Sequence, residues 1–237
     1  MFVKSLNVEY LAHQIQNQGF CNAATAAIAL STANAFVSLG LKDVGYQYVN
    51  IDDCWSLKSR DSSGRLVPDP AKWPQGIKAV TDQIHSMGLK FGLYGCAGRQ
   101  TCAGYPGSRG HEVQDARSLA EWGVDYWKHD NCYTGSGFNN PGDNTQTYYP
   151  TMRDALANSG RSIFFSMCQW GRDNVWTWGA NVGNSWRMSD DIQNNWNSVA
   201  SIAAKAATIS QYAAPGGYND LDMMVCPPTK SRRVPYF

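Results

Sequence analysis

Short runs rich in β-branched and aromatic residues alternate along this chain with amphipathic runs of helical spacing. That alternation admits few folds, because it calls for parallel strands joined by covering helices. The strand-like runs are Gln47 to Ile51, Leu89 to Tyr94, Val124 to Trp127, Ser162 to Met167, Ser185 to Met188 and Leu221 to Val225. Between them, apolar residues recur every three or four positions over Ala26 to Leu39, Gly76 to Met87, Glu112 to Trp122, Tyr149 to Asn158 and Asn194 to Ile209. Gly40, Gly88, Gly123 and Gly160 follow four of these helical runs, where a glycine closes a helix by adopting left-handed backbone. The pattern predicts one α/β domain over residues 1–237, with the stretch from Gly135 to Asn144 as a single long loop.

Charge narrows the partners. A formal net charge of +1, with 16% of residues charged, gives no electrostatic footprint for nucleic acid or an anionic membrane. Nine Trp and twelve Tyr fit two uses, packing a core or stacking on the apolar faces of sugars. None of the seven cysteines forms a CxxC pair or a zinc-type Cys/His spacing, so disulfides and a compartment outside the cytosol are expected. The opening residues carry no apolar run of signal-peptide length, in tension with that reading, and no later run is long enough to span a membrane.

Polar and acidic residues gather where the strand-like runs end: Asp52 and Asp53, Tyr94, Lys128 and Asp130, Gln169, Arg187 with Asp190 and Asp191, and Asp222. In β/α barrels these ends form one mouth, so the set is expected to converge there. Paired carboxyl groups of different pKa are what glycosidic bond cleavage requires. Lys128 and Asp130 share a face of an extended strand, and the ammonium is expected to favour an ionised Asp130, as a nucleophile needs. Strand geometry turns only one of Asp190 and Asp191 toward the mouth and does not choose between them. The four histidines, His13, His85, His111 and His129, do not complete a metal site with these carboxylates, and no nucleophile elbow or phosphate-binding loop is present.

Six segments, YVNIDDCW (Tyr48 to Trp55), KFGLYGCAG (Lys90 to Gly98), TCAGYPGSRGHE (Thr101 to Glu112), YWKHDNC (Tyr126 to Cys132), WRMSDDI (Trp186 to Ile192) and PGGYNDLDMM (Pro215 to Met224), resemble the α-galactosidases of glycoside hydrolase family 27, in the family's order. The resemblance spans about residues 21–224 and implies a (β/α)8 barrel of TIM type. It also implies a retaining mechanism on terminal α-galactose of oligosaccharides, galactomannans or galactolipids, with no metal or organic cofactor. Asp130 then matches the nucleophile and Asp191 the acid/base. Asp52 and Asp53 match the pair that holds the 4- and 6-hydroxyls, and Tyr94, Lys128, Arg187 and Asp222 match ring contacts or supports. Gln169 and Trp170, in CQWG where many relatives have CEWG, fall in the region that governs the 2-position. Cys21 with Cys54 and Cys102 with Cys132 match the family's disulfides, and secretion is implied as well.

The ends depart from the family. Gln16 stands where a site tryptophan is usual, so the first strand reads as altered, and the tail VCPPTKSRRVPYF resembles nothing after strand seven. The expectation is therefore a partial barrel, lacking its eighth strand and the family's β-sandwich domain, from a truncated or wrongly spliced enzyme. Two alternatives stay open: a galactose-binding pseudoenzyme or inactive fragment, and an α-N-acetylgalactosaminidase.

Overall fold

A computed structural model describes residue 21 and residues 24–135, 137, 144–193 and 195–222. Gln16, Cys226 and the tail, together with most of the expected Gly135 to Asn144 loop, lie outside the described residues.

Six strands form one parallel sheet in sequential order: β1 (Tyr48–Asn50), β2 (Lys90–Cys96), β3 (Tyr126–Asp130), β4 (Phe164–Cys168), β5 (Ser185–Arg187) and β6 (Tyr218–Asp220). Of five α-helices, α1 (Ala26–Ser38) precedes β1, while α2 (Gly76–Ser86), α3 (Glu112–Glu121), α4 (Tyr149–Ala157) and α5 (Trp196–Thr208) follow β1, β2, β3 and β5, and two short 3₁₀ turns, Arg172–Thr177 and Gly179–Asn181, carry the chain from β4 to β5. Sequential parallel order with helical crossovers is the topology of a β/α barrel. Among the described residues β1 and β6 each pair on one side only.

The helices form where periodicity and capping place them. In α1 the buried positions Ala29, Thr32, Ala33 and Phe36 repeat at three- and four-residue spacing, and the Thr25 hydroxyl accepts from the Ile28 N–H at the N-terminus. Gly40, Gly88, Gly123 and Gly160 all hold the expected positive φ.

The strands differ from the sequence expectation at their ends. β2 and β3 extend through Cys96 and Asp130, so Lys128 and Asp130 belong to the ladder instead of following it. Their polarity reads as a strand terminus, but both are buried against neighbouring strands and keep the pairing register. The sixth strand runs over Tyr218–Asp220, not Leu221 to Val225, because the short β5 pairs with Tyr218, Asn219 and Asp220, and Asp222 turns the chain away with φ 74°. Residues 223–225 of the expected strand lie outside the described residues.

Side chains alternate across the sheet. Tyr48, Tyr126 and Phe164 meet on the inner face, the last two stacked with centroids 5.1 Å apart. Trp127 and His129 point outward into the helix layer, where His129 meets Tyr149 of α4 and accepts from the Trp127 indole N–H at 3.0 Å. Gly95 makes room for that indole, since a Cβ there would lie 2.0 Å from its ring. Trp73, Trp127 and Trp186 are fully buried, so much of the tryptophan content serves the core.

Candidate active site

Parallel strands present their C-terminal ends on one side, and the polar residues singled out in the sequence meet there. On adjacent strands the register sets Tyr94 beside Lys128, and Cys96 beside Asp130 beside Cys168. Asp130, at the end of β3, accepts the Tyr94 hydroxyl at 2.8 Å and the Asn131 N–H at 2.8 Å. Burial and the Asp130 carboxylate hold the Tyr94 phenol protonated, so Tyr94 is the donor.

Burial, the largest influence, raises the Asp130 carboxyl above its usual range. Lys128 and the Asn131 N–H pull it down, and Asp191 adds a smaller upward push. Lys128 therefore acts in the expected direction, but burial outweighs it. Its ammonium makes a 2.7 Å ion pair with Asp52, both side chains buried. That carboxylate also accepts the Asp53 N–H at 2.7 Å.

Asp53 accepts from the Cys54 N–H at 2.7 Å and the Ala103 N–H at 2.9 Å. Burial pushes its carboxyl up to about 6, and the Asp52 charge adds to that rise. The Cys21–Cys54 and Cys102–Cys132 disulfides are both formed, and the second brings the loops after β2 and β3 together beside Asp130. The Cys102 Sγ lies 3.4 Å from Asp130 Oδ2. Cys96 and Cys168 are free and buried. Among the described residues one group could offer three metal ligands, Cys102, Asp130 and Cys132, but the disulfide occupies both sulfurs.

The other half of the site rests on Arg187. This buried guanidinium contacts Asp191 and Asp222, each at 2.9 Å from Nη2. The Asp191 side chain is 49% exposed while that of Asp222 is 1% exposed. Of the Asp190 and Asp191 pair, it is Asp191 that turns back to Arg187.

Gln169 lies in the loop after β4, where the sequence places it. It is fully buried, and its carboxamide closes on the Arg172 main chain, accepting the N–H at 2.7 Å and donating to the carbonyl at 2.6 Å. It thereby shapes a loop in which Trp170, Gly171, Asp173 and Asn174 all adopt positive φ. Trp170 remains half-buried, with the Arg172 guanidinium 5.2 Å from its ring centroid.

Two groups escaped the sequence reading. Asp220 is half-buried near Arg187, and desolvation raises its carboxyl although the guanidinium opposes this. It stood two residues before Asp222 in the same motif, hidden by placing the sixth strand too late. The Ala103 N–H, which holds Asp53, is main chain and leaves no side-chain signal.

A family model described as Alpha galactosidase A matches residues 13–228. An α-galactosidase of Cyamopsis tetragonoloba is 52% identical over 198 residues, 83% of this chain and 47% of that protein. The structure of α-galactosidase I from Mortierella vinacea superposes with TM-score 0.82 at 40% identity, covering 92% of this chain and 58% of that one. The Saccharomyces cerevisiae α-galactosidase, solved with raffinose, gives 0.81 at 41%, covering 87% and 50%. This chain thus spans about half the length of these relatives, and its six strands correspond to part of their barrel. Together with the six motifs and the strand-end geometry, the match over residues 13–228 means that the chain belongs to the alpha galactosidase A family.

Proposed function

We propose that this chain carries the catalytic centre of a retaining exo-α-galactosidase, with residues 1–237 acting as one partial catalytic domain. The observation that carries the reading is the pairing of two unlike carboxyl groups: Asp130, buried and hydrogen-bonded at the end of β3, and Asp191, half-exposed beside Arg187. Asp130 attacks the anomeric carbon as Asp191 protonates the departing oxygen. Asp191 then deprotonates the water that releases galactose from the covalent intermediate.

Asp52 and Asp53 are assigned to the 4- and 6-hydroxyls, and a carboxylate left without its hydroxyl costs about 1–3 kcal/mol, which disfavours the wrong epimer. Tyr94, Lys128, Arg187, Trp170 and Gln169 complete or support the pocket. The yeast relative was solved with raffinose, an α-galactoside, which supports oligosaccharides of that class as substrates. Two disulfides fit an oxidising, extracellular location, and among the described residues no helix is long and apolar enough to cross a membrane.

The test is hydrolysis of p-nitrophenyl α-D-galactopyranoside by the full chain. Asp130→Asn should lower the rate at least about 10³-fold, the α-anomer should appear first by NMR, and the 2-acetamido analogue should be cleaved poorly. A folded parent that releases no p-nitrophenol, or an Asp130→Asn variant as active as the parent, would sink the proposal.

A further inference from the structure

A buried cation touching a general acid works against it, because it favours the ionised form and strips the proton the leaving group needs. Arg187 is such a cation, 2.9 Å from Asp191. Asp222 lies on the other side of the same Nη2, also at 2.9 Å, in a position where it offsets that charge. Its Oδ2 accepts the N–H of Ile192, the residue after Asp191, at 2.7 Å. One carboxylate from the segment after β6 therefore grips both the cation and the backbone that carries the acid. Holding it there takes left-handed backbone, φ 74°, at a non-glycine residue, and its buried Oδ1 has no hydrogen-bond partner. Such unfavourable features persist where something else depends on them.

Resting on the assignment of Asp191 as acid/base, we propose that Asp222 is a positioning residue for that acid: it neutralises Arg187 and fixes the Ile192 backbone, so that Asp191 keeps its proton at working pH.

The charged and titratable groups facing this cluster are Lys128 and Asp130 from β3, Cys168 from β4, and Asp220 from β6. Cys168 is a buried thiol whose pKa is driven up by burial, so it stays neutral. Lys128 is paired with Asp52. Asp220 accepts the Asp222 N–H at 2.9 Å, and burial favours its protonated form although Arg187 opposes this. Asp222 is thus the carboxylate whose removal leaves Arg187 to act on Asp191.

The experiment is Asp222→Asn in the full chain, which keeps an oxygen for the Ile192 N–H and deletes the charge. The alkaline limb of kcat/KM should move down by about one pH unit, the low end for a close charge because Asp191 is half-exposed. Turnover of melibiose, whose glucose is a poor leaving group, should fall at least about tenfold, while that of 2,4-dinitrophenyl α-galactoside, whose phenol needs little protonation, should change less than about threefold. An unmoved or raised alkaline limb, or an equal loss on both substrates, overturns the proposal. ¹³C titration of the Asp191 carboxyl in parent and variant reads the same coupling without turnover, so an inactive parent would defeat the galactosidase reading and leave this test standing. If the variant fails to fold, titration of the parent decides: Asp222 must be ionised throughout the range in which Asp191 loses its proton, and an Asp222 protonated there overturns the proposal.

Discussion

Asp53 shows how one residue ties the site to stability. Its carboxyl is held at about 6, against an ordinary value of 3.8, chiefly by burial. The native state therefore binds a proton more tightly than the unfolded chain between those values, and folding loses stability as pH rises through that window. The difference amounts to at most about 3 kcal/mol. Asp53→Asn lacks this titration, so relative to the parent it should gain stability between pH 4 and pH 7, measured by calorimetric melting at both values. A parent-to-variant difference constant with pH would refute the claim. Asp130, also raised by burial, must be ionised to serve as the proposed nucleophile, so the acid limb of kcat/KM should lie above the ordinary carboxylate range. Sequence exposed both aspartates as strand-end acids, but a strand-end position does not reveal burial, which sets the direction of both shifts.

At the scale of elements, loops need anchors to hold these groups. Arg60, in the loop between β1 and α2, makes a bidentate pair with Asp115 of α3 at 2.7 and 2.8 Å and donates to the carbonyls of Gly64 and Gly107. Asp115 has no exposed surface. Arg60→Ala leaves that carboxylate buried and unpaired and should cost about 3–5 kcal/mol, whereas Arg60→Met with Asp115→Leu should cost far less. Urea midpoints decide this, and a loss below about 1 kcal/mol for Arg60→Ala would show that the pair is not needed. The Cys102–Cys132 link, closing a separation of 30 residues, contributes a further 3–4 kcal/mol or so and fixes the loops on either side of Asp130. Nothing in the spacing of Arg60 and Asp115, 55 residues apart, betrays their contact.

For the whole molecule, the site draws on all six strands, from Asp52 after β1 to Asp222 after β6. On the proposed function, a sugar bound there would bridge both ends of the sheet. Free galactose at 100 times its Kd should add about 2.7 kcal/mol, raising Tm by about 5–10 °C for a chain of this size. Glucose at equal concentration should leave Tm within about 1–2 °C, since its 4-hydroxyl points away from the carboxylate pair. Equal shifts with both sugars, or none with either, would remove the epimer selectivity assigned to Asp52 and Asp53.

The sequence by itself determined the layered β/α order, the helix boundaries to within a residue or two, the glycines that close the helices and the identity of the strand-end acids. It could do so because periodicity, capping and turn chemistry act over a few neighbouring positions, and because six motifs in order specify a family. Only the tertiary structure decided that β2 runs on past Tyr94 to Cys96, that the last described strand begins at Tyr218, and that Gln169 closes on Arg172. It also decided that Lys128 answers to Asp52 and Arg187 to two carboxylates at once. Those outcomes depend on which groups from distant segments share a buried volume, where desolvation and charge pairing compete over a few ångströms irrespective of separation along the chain.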